Sequence, residues 1–350
     1  MEYRLLGRSG LKVSVMTMGT MVFTHAKDSP VGAVGPEGAR RLTDLCIDNG
    51  VNLFDTADFY FHGESEEILG EALGSKRNDV LIATKGRFPT GEGPNERGNS
   101  RYHLIRACEA SLKRLGREWI DLYQLHLWDG ETPLEETMSA LDTLVSSGKV
   151  RYVGCSNFSA WHVMKSLGVS ERLGRERFVC QQIHYSLQAR EAEYELVPLS
   201  ISEGLGILVW SPIAGGLLSG KFRRGEAGPP GARHTLARRD PPIRDEEALY
   251  RIIDEIVAIG EARGVSGAQV ALAWLLGRPG VTSLIVGGRT EEQFRDNLAA
   301  ADLVLTEEER RRLDRVSLPP LIYPYWHQHK WAQDRMGPAD RTLLSQFTTD

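Results

Sequence analysis

The chain has 350 residues, 41% of them hydrophobic and 25% charged, and a formal net charge of −5. That balance supplies enough apolar side chain for a sizeable core. With no long basic run there is no electrostatic reason to expect nucleic acid or an anionic membrane as a partner, and no window reaches the ~20 apolar residues of a membrane span, so a small molecule is the expected ligand.

Residues 1–14, MEYRLLGRSGLKVS, have neither the apolar core of a signal peptide nor a helical moment, which points to a cytoplasmic protein. They read instead as a β-hairpin, 3–6 and 11–15 around a Gly-Arg-Ser-Gly turn. A strand is predicted over 15–20, then a helix over 36–49 with Pro36 in its first turn and Gly50 just past its end. The alternation continues with strand 52–57, helix 64–73, strand 80–85 and helix 100–115, capped by Ser100 and stopped by Gly116. Next come strand 120–126, helix 133–146, strand 150–156 and a short helix over 160–167. Strand 178–185, helix 193–203, strand 206–211, helix 266–276, strand 283–287 and helix 291–299 complete the series.

Eight strands alternating with helices predict an α/β fold, a closed (β/α)8 TIM barrel with an N-terminal β-hairpin. Residues 1–350 read as one domain, with 318–350 a long C-terminal tail packing near the barrel mouth. An open dinucleotide-binding sheet would need G-x-G-x-x-G after an early strand, and none is present there. The loops 87–99 and 221–245, rich in Gly and Pro, and the aromatic tail are long enough to expect function in them. Cys46, Cys108, Cys155 and Cys180 lie far apart and read as free, buried thiols.

Three consecutive strands carry an ionisable residue at their C-terminal end, Asp55, Lys85 and His126, where a parallel barrel keeps its chemistry. Side-chain alternation puts Lys85 on one side with Leu81 and Ala83, Asp55 with Leu53, and His126 with Leu122 and Gln124. Tyr60 follows Asp55 in DTADFY, far enough along the loop for its hydroxyl to fold back over the same mouth. An ammonium beside a phenol lowers the phenol's pKa toward the working range, and a carboxylate keeps the ammonium charged. Taken singly, such an Asp is a turn former, the Tyr loop packing and the His a satisfied core residue. Together they make a tunable proton donor. A lysine so placed also suits Schiff-base chemistry in an aldolase-type barrel, a reading that leaves Tyr60 without a task.

The stretches DTADFYFHGESEEILGEAL, IATKGR and DLYQLH resemble the aldo-keto reductase superfamily, and the resemblance runs over nearly the whole chain. Its style is that of the aryl-alcohol-dehydrogenase-like reductases and the potassium-channel β subunits. It implies NADP(H)-linked reduction of a small carbonyl compound to the alcohol, with no metal: Tyr60 as general acid, Lys85 depressing its pKa, Asp55 supporting Lys85, and His126 donating to the carbonyl oxygen. It further implies cofactor contacts from Gly19, Thr20 and Met21, with Asp55 beside them. In GCSNF, Ser156 and Asn157 would hold the nicotinamide carboxamide together with Gln182, and Trp210 would stack on the ring.

In WSPIAGGLLSGK, the residues Ser211, Pro212, Ile213, Ala214 and Gly215, with Lys221, suit a pyrophosphate. In GGRTEEQFRDN, Gly287 and Arg289 stand at a helix N-terminus where the 2′-phosphate of NADP would sit, with Gln293, Asp296 and Asn297 on the adenosine half. Val286 and Gly288 replace a proline and an alanine frequent among relatives. On the substrate side Phe23, Phe61, His62, Phe88, Trp128 and Trp326 are expected around Tyr60 and His126, walls that suit a mid-sized aldehyde, ketone, quinone or keto-sugar. His62, Arg87 and Trp128 hint at a polyhydroxylated or aromatic ligand. The alternative carried by the resemblance is an NADPH-holding redox sensor that regulates a partner; no exposed apolar helix face announces an oligomer interface.

Overall fold

The computed structural model describes residues 1–26, 29, 31–235 and 241–347. Two short antiparallel strands, β1 (Tyr3–Leu5) and β2 (Lys12–Ser14), form the hairpin. Eight parallel strands follow: β3 (Met16–Gly19), β4 (Leu53–Asp55), β5 (Leu81–Gly86), β6 (Ile120–Leu125), β7 (Val150–Ser156), β8 (Cys180–His184), β9 (Gly206–Trp210) and β10 (Val281–Val286). Each pairs with the next, and β10 pairs with β3 to close the ring. The fold is the (β/α)8 barrel.

The barrel strands are buried on both faces, which is why they read as near-continuous apolar runs. Leu53, Ala83, Leu122, Cys180, Leu208 and Ile285 fill the inside. Met18, Phe54, Ile82, Ile207 and Val209 face the surrounding helices. Leu6 and Val13 of the hairpin join the inner set, so the hairpin plugs the N-terminal end of the barrel and leaves chemistry to the other end. All four cysteines are free and buried.

Several elements differ from the sequence expectation, each for a local reason. The helix after β7 is Ala160–Leu173 and runs on through Gly168, which a helix interior tolerates at a cost of about 1 kcal/mol. The helix expected over 193–203 is Leu196–Glu203, preceded by a short 3-10 turn at Glu191–Glu193. Pro198 explains the delay, since proline is accommodated only in a helix's first turn. Two helices stand outside the alternation: Glu246–Arg263, which with Gly267–Leu276 joins β9 to β10, and Glu307–Ser317, which lies beyond β10.

The segment from Leu318 is partly helical, at Tyr325–Trp331 and Pro338–Leu344. Leu343 and Leu344 are buried, Gln346 bonds to both Arg190 and Glu193, and the Tyr194 hydroxyl donates to the Pro320 carbonyl. The tail is thereby pinned to the segment that follows β8. Residues 236–240 of the expected loop and 348–350 of the tail lie outside the described residues. Among the described residues no helix is long and apolar enough to cross a membrane.

Candidate active site

Beyond Asp55 the chain keeps running alongside β5, with Thr56 N donating to Ala83 O at 2.9 Å and Asp58 N to Lys85 O at 3.1 Å. This pairing ends in the 3-10 turn Tyr60–Gly63, where Phe61 (φ 49°) and His62 (φ 56°) adopt left-handed conformations that side-chain-bearing residues rarely take. The turn aims the Tyr60 phenol back over the barrel mouth. There Lys85 Nζ lies 2.6 Å from Asp55 Oδ1, 2.7 Å from the Thr56 carbonyl and 3.3 Å from the Tyr60 hydroxyl. His126 stands edge-on to Tyr60 with ring centroids 5.8 Å apart, and Phe88 is edge-on to His126 at 4.7 Å.

Burial is the largest influence on Lys85, Tyr60 and His126, and only at Lys85 do the neighbours outweigh it. Desolvation pulls Lys85 down, but the Asp55 carboxylate and Tyr60 outweigh it and hold the ammonium above its ordinary range. The second Asp55 oxygen accepts from Gln182 Nε2 at 2.8 Å, so this buried carboxylate is bonded on both sides. Tyr60 departs from the sequence expectation: burial raises the phenol, Lys85 pulls it down, and the net shift is upward. Loss of water outweighs the ammonium, and Tyr60 keeps its proton at neutral pH. His126 is pushed well below its ordinary range by burial first, then by Lys85 and Arg87, leaving a neutral imidazole whose buried Nδ1 has no partner among the described residues.

The opposite wall is a linked set of amides and rings. Asn157 donates to the His126 carbonyl at 3.1 Å and to Ser156 Oγ at 3.0 Å, and accepts from Trp210 Nε1 at 3.0 Å. Ser156 Oγ donates to the Gln182 carbonyl, and the Trp210 ring stacks on His184 at 4.5 Å. After β9 the backbone turns through Ser211 (φ 53°), Ala214 (φ 51°), Gly215 (φ 65°) and Gly216 (φ 100°), a curled concave segment of the kind that receives anions. Among the described residues nothing lies within 4 Å of a Cβ built on Gly216, so toward them one face of that turn is open. Pro212 is buried, Ile213 half-buried and Lys221 exposed.

The aldo/keto reductase family pattern matches residues 15–318, the span from the start of the barrel to the outer helix that precedes the tail. The chain belongs to the aldo/keto reductase family. The uncharacterized oxidoreductase YrpG of Bacillus subtilis (strain 168) is 40% identical over 325 residues, 90% of this chain and 95% of that protein. A probable voltage-gated potassium channel subunit beta of Arabidopsis thaliana is 37% identical over 317 residues, 87% of this chain and 92% of that protein. Versiconal hemiacetal acetate reductase of Aspergillus parasiticus is 36% identical over 351 residues, 93% of this chain and 99% of that protein. Membership makes the chain an oxidoreductase of carbonyl chemistry, from a family whose members use NAD(P)H.

In this aldo/keto reductase the remaining expected residues divide sharply. Gly19 abuts Ile285, Thr20 Oγ1 donates to the Asp55 carbonyl, and Met21 is half-buried beside them. Arg289 is exposed, with its stem against Gly32, while Gln293 accepts from the Arg289 backbone amide at 2.8 Å. Asp296 is turned toward Ser266 and Gln269, and Asn297 donates to the Gly287 carbonyl, so both spend polar atoms on holding neighbouring segments.

Phe23, expected at the mouth, is instead completely buried in the outer core and bridged to Val34, a correction that follows from its bulk facing the helices. Trp128 stacks on His162 at 3.9 Å, and the ring neighbours of Trp326 are Tyr323 and His327 of the tail itself. Phe59 was not singled out from the sequence, yet it packs on Phe88 at 4.6 Å and is 41% exposed at the rim. Among the described residues the non-glycine positions with positive φ are Phe61, His62, Arg87, Asn157, Ser211 and Ala214. Every one follows the C-terminal end of a barrel strand, so backbone strain concentrates at the mouth.

Proposed function

We propose that this aldo/keto reductase reduces an aldehyde or ketone with NADPH, using Tyr60 as the proton donor. The observation that supports it is the Lys85 ammonium, bonded to Asp55 and 3.3 Å from the Tyr60 hydroxyl, beside a neutral His126. The open turn after β9, the exposed Arg289 and the half-buried Trp210 are compatible with a dinucleotide. Trp210 would carry the nicotinamide ring, Ser156, Asn157 and Gln182 its carboxamide, and residues 211–215 with Lys221 the pyrophosphate. Arg289 would take the 2′-phosphate. NADPH, when bound, supplies a hydride to the carbonyl carbon.

Negative charge then grows on the carbonyl oxygen, and donors aimed at that oxygen stabilise the transition state more than the ground state. The Tyr60 hydroxyl and a His126 N–H are those donors. The proton passes from Tyr60 to the oxygen, the phenolate left behind is stabilised by Lys85, and Asp55 keeps Lys85 charged. A second reading, a cofactor-binding regulatory subunit with little turnover, draws on the resemblance to the Arabidopsis protein named as a potassium channel subunit beta.

Following NADPH consumption by the purified chain over a panel of aldehydes and ketones separates the two. Carbonyl-dependent turnover supports the reductase; tight cofactor retention with no turnover supports the regulatory subunit. Arg289→Ala should raise KM for NADPH by about tenfold, the scale of one charge-assisted phosphate contact, with a much smaller change for NADH. An unchanged ratio of the two would count against the assignment of Arg289.

A further inference from the structure

We infer that Arg87 recognises an anionic group on the substrate, so that the preferred carbonyl compound carries a carboxylate or a phosphate. The inference rests on the reading that Tyr60 and His126 address the carbonyl oxygen. Arg87 follows β5 directly, on the segment after Lys85 and Gly86. Its guanidinium lies over the Phe88 ring at 5.3 Å, and Phe88 packs edge-on against His126. The cation therefore stands one aromatic ring away from the imidazole.

Four enclosed arginines have carboxylate partners, Arg114 with Glu66 at 2.7 Å, Arg117 with Asp121 and Arg190 with Glu193 at 2.8 Å, and Arg278 with Asp314 at 3.2 Å, and half-buried Arg101 bonds the Ser139 and Thr143 hydroxyls. Arg87 is half-buried, its Nε is enclosed without a partner, and among the described residues it forms neither an ion pair nor a side-chain hydrogen bond. Enclosing part of a guanidinium with no counter-ion is costly. The backbone adds a second cost, because Arg87 sits at φ 146°, a conformation suited to glycine. Two costs at one residue beside the candidate site are the pattern of a group kept for a ligand.

Topology argues that this ligand is not the dinucleotide phosphate. In the ring order β10-β3-β4-β5-β6-β7-β8-β9, strands β5 and β9 face each other across the barrel. The concave turn after β9 is thus on the far wall from Arg87. The carboxylates near the mouth offer an incoming anion little repulsion. Asp55 is paired with Lys85, and burial, then Glu66, pushes the Asp58 carboxyl well above the usual range, away from its charged form.

Matched substrate pairs test the inference on the wild type: 4-carboxybenzaldehyde against 4-methylbenzaldehyde, and 4-formylphenyl phosphate against 4-methoxybenzaldehyde. The expected result is a kcat/KM about 10- to 100-fold higher for the charged member of at least one pair, the range of a charge-assisted hydrogen bond. The pair that shows the preference identifies the anion. Arg87→Gln should collapse that ratio toward unity and Arg87→Lys should restore part of it. Equal turnover of both members in the wild type, or an equal fall of both in Arg87→Gln, overturns the inference. Should no carbonyl be reduced, the proposed function fails, and titration calorimetry with 4-methylbenzoate and phenyl phosphate decides the inference separately. Binding that Arg87→Gln abolishes upholds it; no binding, or binding indifferent to the substitution, overturns it.

Discussion

Asp55 closes β4 and Asp58 lies three positions further on, in the loop after it, and the two carboxyls meet opposite surroundings. Both Asp55 oxygens are bonded, Oδ1 by Lys85 and Oδ2 by Gln182. Asp58 is buried with neither oxygen bonded among the described residues, and burial followed by the nearby Glu66 holds its carboxyl well above the ordinary 3.8. A folded-state pKa raised above the unfolded value gives stability that is fully present below 3.8 and is lost as pH rises. At neutral pH the group is therefore a liability, and Asp58→Asn should stabilise the protein by about 1–3 kcal/mol. Urea unfolding at neutral pH and again below 3.8 measures this: the advantage should shrink at the acid end, and its absence at neutral pH would contradict the account. Nothing in DTADFY distinguishes the two acids, because the difference comes from groups distant in sequence, Lys85 and Gln182 for one and Glu66 for the other. The same holds for Tyr60, whose neighbours were legible and whose degree of burial was not.

Elements with their own punctuation were the legible ones. Glu64–Leu73, Val150–Ser156 and Glu291–Ala299 keep the bounds that their flanking residues announce, and Ser100 caps its helix through the His103 amide. Glu307–Ser317 was illegible for a physical reason: only Leu313 is buried on it, so no apolar stripe marks its period. Glu246–Arg263 does carry a stripe, through Leu249, Ile252, Ile253, Ile256 and Ile259, but it breaks the strand-helix alternation by adding a second helix before β10. The hairpin shows how one residue can fix an element's seat. A Cβ on Gly7 (φ 60°) would stand 2.4–2.6 Å from the Val179 and Gly204 carbonyl oxygens and the Gly206 nitrogen, backbone atoms that cannot swing aside. Gly7→Ala should cost at least about 2 kcal/mol, from backbone strain and overpacking together. Gly10→Ala in the same turn meets nothing within 4 Å and serves as the control. Equal thermal midpoints for the two variants would show that the hairpin is not a fitted plug.

At the scale of the molecule, closing a parallel ring sends every strand's C-terminal end to one face. Asp55 from β4, Lys85 from β5, Gln182 from β8 and Trp210 from β9 thus share a mouth with His126, which follows β6, although they span more than a third of the chain. Strand order and parity carried that much in the sequence. Which way each side chain is spent was not carried: Phe23 goes to the outer core, and Asp296 to Ser266 and Gln269. In the proposed reaction the Tyr60 hydroxyl, held by Lys85, gives its proton to a carbonyl oxygen. Single-turnover reduction of an aldehyde by NADPH-loaded Tyr60→Phe tests this most directly, with cofactor affinity measured on the same sample. The expected result is an affinity within about twofold of wild type and a rate lower by about 10²- to 10⁴-fold, the range of a lost general acid; a variant that reduces the aldehyde at the wild-type rate would remove Tyr60 from that role.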